Sequence, residues 1–227
     1  MFLGLDVSTQ SLTALIIDQD AIIKRTSLNY DQELPQYNTK SGVIFLTDEK
    51  EVHSYPLMWA EAMDLLLSRM KDQGVRFDRI KAISGSGQQH GTVYLNERFE
   101  KKLSNLNPYE HLVYQIKDSF SRNTSPIWMD SSTSKQCEEI RARLGGMRKT
   151  IEITGSNTFE RFSGPQIRKF WQQDPEDYDK TSTIHLVSSF MASLLTGKNA
   201  PIDHGDGAGM NLMMPGSQWL RASRPRR

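Results

Sequence analysis

Residues 1–18, MFLGLDVSTQSLTALIID, decide the fold: an apolar run at 2–5 ends on the acid Asp6, four polar residues follow, and a second apolar run occupies 12–17. The pattern reads as strand, turn, strand, with β-branched residues enriched in the returning strand. The hairpin sets one carboxylate and the side chains of Ser8, Thr9, Gln10 and Ser11 at one spot. Such a turn offers N–H and O–H groups to phosphate oxygens, and a nearby carboxylate holds Mg²⁺ through its water shell. By spacing alone, a solvated Asx-type turn is the ordinary alternative.

Working outward, residues 21–28 supply a third strand and 32–48 a polar connection containing Pro35 and Gly42. Pro56 suits a first helical turn, Trp59, Met63, Leu66 and Met70 recur on one face, and Gly74 ends the helix. That stripe is core packing. Residues 77–84 then read as a strand that delivers the loop GSGQQHG, 85–91, at its tip. Three strands, a helix and a strand of this kind open a ribonuclease H-like (actin/hexokinase-like) α/β domain, here with helical and loop insertions. Further on, the apolar run Pro126, Ile127, Trp128 and Met129 ends at Asp130, and a helix with Cys137, Ile140 and Leu144 on one side stops at Gly145 and Gly146. A loop at 153–164 leads to a helix opened by Pro165 with Ile167, Phe170 and Trp171 inward, and 184–195 reads as one core helix. Neither a repeat nor a linker interrupts 1–214, which reads as a single elaborated unit.

The 227 residues are 37% hydrophobic and 24% charged, ordinary for a folded protein. A net charge of +1 gives no general attraction to nucleic acid, and no segment has the roughly 18 consecutive apolar residues of a membrane span. With Cys137 alone no internal disulfide forms, and no signal peptide opens the chain; both point to the cytoplasm.

Six strings, in order, resemble the N-terminal motifs of the FGGY carbohydrate kinases: LGLDVSTQSLTALIID, ISGSGQQHGTVYL, SPIWMDSSTSKQC, ITGSNTFERFSGPQIRKFW, LVSSFMASLLTGK and APIDHGDGAGMNLM. GQQHG, PIWMDSS and GPQIRK are similar to the xylulokinase branch in particular. The resemblance implies phosphorylation of a ketopentose, D-xylulose foremost, by ATP with Mg²⁺. It implies Asp6 near the magnesium and γ-phosphate, and Ser8 to Ser11 facing phosphate. His90 corresponds to the sugar-binding histidine, with Gln89 beside it, Arg161 as a substrate-contacting arginine, Asp130 as a hydroxyl acceptor and Trp128 as an apolar platform. Each has an ordinary alternative: a loop hydrogen bond for His90, backbone bracing for Gln89, an ion pair with Glu160 for Arg161, core packing for Trp128. Arg168 falls on either face of its helix. Asp203, His204 and Asp206 lack a Cys/His framework and are assigned no metal.

The family's later GDN-type motif, whose aspartate acts as base, and its ATP-binding domain have no counterpart after Met214, where PGSQWLRASRPRR reads as a basic, disordered tail over 215–227. The expectation is a substrate-binding lobe with negligible turnover by itself and with self-association through the face that a second domain would cover. The alternative is a noncatalytic sugar-binding or interaction protein. The partner expected is a small sugar, with no nucleic acid and no membrane.

Overall fold

The structure, a computed structural model, describes residues 1–214 and the backbone of 218–219. Strands β1 (Phe2–Val7), β2 (Ser11–Asp18) and β3 (Ala21–Asn29) form an antiparallel meander. Helix α1 (Pro56–Asp72) then crosses the sheet and returns the chain as β4 (Ala82–Gly87), parallel to β1, in the order β3-β2-β1-β4. A parallel neighbour needs such a crossover, and the pairing places Asp6 opposite Thr13 on one side and Ser86 on the other.

Alternation along the strands supplies the core. Leu3, Leu5 and Val7 of β1 pair with Ile16, Ala14 and Leu12 of β2, all buried on the face that α1 covers with Trp59, Met63, Leu66 and Met70. Each such large side chain contributes roughly 1.5–3 kcal/mol on burial. Gly74, at φ +82°, stops α1. The strand expected over 77–84 begins only at Ala82, because Phe77–Arg79 winds into a 3₁₀ turn before Lys81 N–H donates to Met1 O, at 3.0 Å, beside the first rung of β1 and β4.

Beyond β4 come β5 (Thr92–Asn96), α2 (Ser134–Leu144), α3 (Met147–Thr154), α4 (Ser163–Gln173), β6 (Thr181–Leu186) and α5 (Val187–Thr196). The run expected as one helix over 184–195 therefore splits. Ile184 to Leu186 are drawn into β6 by antiparallel pairing with β5, and α5 starts where Ser189 Oγ accepts from Leu186 N–H at 3.1 Å. Helix α3 falls where apolar periodicity marks none. Its buried residues are Thr150 and Thr154, whose hydroxyls bond back to the carbonyls of Gly146 and Thr150. In α4 the expected inward face is rotated: Trp171 is exposed, while Gln166 and Lys169 are buried beside Phe170. Gly145, at φ +92°, ends α2 as the sequence suggests. The tail expected over 215–227 lies outside the described residues, apart from Gln218–Trp219, whose backbone pairs with Met213–Met214.

Candidate functional site

The C-terminal end of β1 carries Asp6, exposed, with Oδ1 accepting from Ser86 Oγ at 2.8 Å and Oδ2 from Ser8 Oγ at 2.5 Å. The turn after it closes through Ser8 N–H to Ser11 O, at 2.9 Å, and is fastened from below by Tyr30. The Tyr30 amide donates to Gln10 O and its hydroxyl to Ser8 O. A second support is Gly42, at φ +75°, so tight against the turn that a Cβ there would lie 1.9 Å from Thr9 O. A carboxylate framed by hydroxyls presents hard oxygen donors, the kind Mg²⁺ accepts alongside water and phosphate. Among the described residues no group of three or more His, Cys, Asp or Glu is placed to hold a metal by itself.

Thr9 ties this turn to the rest of the site. Its hydroxyl accepts from Trp128 Nε1–H at 3.0 Å and lies 3.4 Å from Gln88 Oε1, to which it donates. Trp128 is 47% exposed, so its ring forms an open wall and is not core. Asp130, two residues on, is buried: Oδ1 accepts from Ser132 N–H, Ser132 Oγ and Gln166 Nε2, and Oδ2 from Val52 N–H. His53 Nε2 lies 3.6 Å from Oδ2. Burial, with Arg122 nearby, pushes the His53 pKa from 6.5 to about 3, so the imidazole is neutral and this approach is a polar contact, not an ion pair. Four donors make a buried carboxylate tenable.

His90 follows β4 in a left-handed conformation, φ +63°. The loop is held against α5 at two glycines, where a Cβ would lie 2.8 Å from Ser188 N for Gly87 and 2.5 Å from Val187 Cγ2 for Gly91. The His90 ring sits 5.0 Å from that of Phe162, and its Nδ1 is 3.2 Å from Gly209 O. Burial and the nearby Arg161 guanidinium lower its pKa from 6.5, against the opposite pull of the Gly209 carbonyl and Asp206. Arg161 is exposed and lies over Phe159 and Phe162, 5.4 and 5.7 Å from the ring centroids. Its neighbour Glu160 accepts from Ser134 Oγ, and the Glu160 carbonyl from Thr133 and Gln166. That carbonyl links Asp130, through Gln166, to the segment presenting Arg161.

Three groupings thus meet along β1, β4 and the loops after them: Asp6 with Ser8 and Ser86, Thr9 with Trp128 and Gln88, and His90 with Arg161 and Phe162. The side chains of Gln10 and Gln89 are exposed and without hydrogen-bond partners among the described residues. Arg168 is paired with Glu139 at 2.7 Å, on the solvated face of α4. Asp203 accepts from the amides of Gly205 and Asp206, and the Asp206 carboxylate from Ser188 Oγ. Sequence reasoning assigned no site role to Ser86, Gln88, Phe162 or Gly42. The first three stand inside the quoted motifs, whereas the support that Gly42 gives is known only by what folds against it. Concave spaces of about 300 Å³ at Tyr37, Tyr55 and Phe120, and of about 420 Å³ at Met1, Asp18 and Arg79, include none of these residues.

No family model matches the chain. It is 48% identical over 215 residues to xylulose kinase 2 of Arabidopsis thaliana, covering 94% of this chain and 38% of that protein. It is 43% identical over 212 residues to xylulose kinase of Rattus norvegicus, covering 93% and 40%. In fold it is similar to the xylulose kinase from Rhodospirillum rubrum, with a TM-score of 0.73 at 16% identity over 94% of this chain and 38% of that one. The chain is thus similar over nearly all of its length to xylulose kinases, shares their fold, and spans about two-fifths of the length of these relatives.

Proposed function

We propose that this chain is the sugar-binding lobe of an ATP-dependent ketopentose kinase, with D-xylulose as substrate and D-xylulose 5-phosphate as product. The observation that carries the reading is His90: its Nδ1 is engaged by Gly209 O, its Nε2 has no partner among the described residues, and Arg161 stands beside it in a chain 48% identical to a xylulose kinase. Here the imidazole and the planar guanidinium grip neighbouring sugar hydroxyls, and Trp128 forms the apolar wall. Asp130 acts from within, holding through Gln166 the segment that presents Arg161.

When bound, ATP·Mg²⁺ supplies the phosphoryl group and neutralises charge on its oxygens. Asp6 and the Ser8 to Ser11 turn fit that group, because they offer an exposed carboxylate and clustered hydroxyls at one strand end. Their part is to hold phosphate and metal-bound water in place. A single cysteine, Cys137, unpaired, favours a reducing, cytoplasmic setting. No helix among the described residues is long and apolar enough to cross a membrane.

The 227-residue polypeptide assayed by itself binds sugar without measurable turnover, since loss of a positioned base alone costs about 10²- to 10⁴-fold in rate. Copies of it associate through the exposed apolar side chains at the edge strand β4. Calorimetry with D-xylulose on the chain and on His90→Ala, beside a coupled ADP assay, tests the reading. The expected result is millimolar-range binding, weakened on the order of tenfold in the variant, with no ADP released. Equal affinity in the two proteins would remove His90 from the site.

A further inference from the structure

Gly209 comes from a segment far from β4 in sequence, yet its carbonyl is the hydrogen-bond partner of the His90 ring. The approach is built from three sides. Asp203 caps the short helix His204–Ala208, so that Gly209 N–H closes onto Asp206 O at 3.0 Å. Ser188, at the start of α5, donates to the Asp206 carboxylate. Past Gly209, Met210 O accepts from Gly164 N–H at 2.9 Å, and Asn211 Nδ2 donates to Thr154 Oγ1 at 2.7 Å. The carbonyl is thus fixed by α3, α4 and α5 together. On the other side, Thr92 Oγ1 donates to His90 O at 3.1 Å, and the Phe162 ring closes against the imidazole.

A carbonyl oxygen only accepts, so Nδ1 must carry the hydrogen. Burial and Arg161 both disfavour the doubly protonated ring, which leaves Nε2 with a free lone pair. We infer that Gly209 is a positioning residue that locks His90 as the Nδ1–H tautomer, so that Nε2 accepts a hydrogen from a sugar hydroxyl and the pocket selects for a hydroxyl donor at that position. This rests on the reading of His90 as a sugar ligand. It goes beyond it in assigning the direction of the hydrogen bond and the residue that sets it.

Gly209 offers a clean test. Its φ is −71°, which any residue adopts, yet a Cβ there would lie 3.0 Å from His90 Cε1 and 3.2 Å from Nδ1. Gly209→Ala therefore leaves its own backbone unstrained and displaces the imidazole. Two-bond ¹H–¹⁵N correlation spectra of the ¹⁵N-histidine-labelled chain report the tautomer without any sugar present. The expected pattern is a protonated Nδ1 and a bare Nε2 in the parent chain, changed in Gly209→Ala. D-xylulose affinity, by calorimetry, should fall on the order of tenfold in Gly209→Ala. In a His90→Ala background the same change should cost nothing further, because the two residues act through one contact. An xylulose analogue with the contacted hydroxyl methylated keeps an acceptor but loses the donor, and should bind as weakly to the parent as D-xylulose does to His90→Ala.

A bare Nδ1 in the parent spectrum, or additive losses in the double variant, would overturn the positioning role. A correct tautomer together with a His90→Ala chain that binds D-xylulose normally would overturn the ligand reading, and with it the acceptor role. The two failures are therefore distinguishable.

Discussion

The imidazoles of His53 and His90 share a residue type and a lowered pKa, and differ in what surrounds them. His53 is enclosed, 1% exposed, between Thr124 Oγ1 and the Asp130 carboxylate. Its pKa is about 3 in the folded chain and near 6.5 once unfolded, so the unfolded state takes up the extra proton first. Stability from this residue is complete above pH 6.5 and is lost as pH falls through 6.5 toward 3, by about 1.4 kcal/mol per pH unit within that window. His185, buried against Ser189, and His90 act in the same direction. Urea midpoints measured between pH 7 and 4 should therefore drop, and His53→Gln, which does not titrate, should flatten the slope. An unchanged slope in that variant would place the acid sensitivity elsewhere. At this scale the sequence singled out His90 through the resemblance of its motif, and placed Asp130 as a pocket-lining hydroxyl acceptor without any local signal that its carboxylate is buried. Its burial against Val52 and Gln166 depends on two distant segments, with Ser132 alone supplied locally.

Turns and helix ends show the same division among elements. The β1–β2 hairpin was legible because alternation, a polar turn and the returning β-branched run are all local. So was α1, whose Pro56 and Gly74 bracket its apolar stripe. The boundary between β6 and α5 was hidden, because an apolar run from Ile184 onward has no local reason to change period. What changes it is the partner strand β5. Gly42 is the counterpart in a connection: its N–H donates to Asp31 Oδ1, its O accepts from Ser54 Oγ, and its Cα abuts the turn that carries Thr9. Gly42→Ala should destabilise the chain by about 3 kcal/mol or more, since the new methyl meets a backbone carbonyl and the residue keeps a positive φ. Chemical denaturation measures it, and a loss under about 1 kcal/mol would mean that the turn yields easily.

Across the whole molecule, one core cluster runs from Leu3 to Leu194 and joins the sheet to α1 and α5. Outside it, Phe2, Ile17 and Ile83 remain exposed on the main sheet, and β4 is the sheet's terminal strand among the described residues. An apolar, uncharged edge is a pairing surface. Sedimentation of the 227-residue polypeptide should show concentration-dependent association that Ile83→Lys suppresses, and a monomer at every concentration would rule this out. The sequence by itself determined the hairpin and the helix Pro56–Asp72, because each is written in neighbouring residues whose spacing dictates local geometry, and it carried the motifs that resemble sugar kinases. Only tertiary structure decided that the Asp130 carboxylate is satisfied internally, that polar side chains of α4 turn inward, and that the Gly209 carbonyl meets His90. Those outcomes depend on donors and acceptors that are brought together only after the chain has packed, and no local pattern encodes which of them will meet.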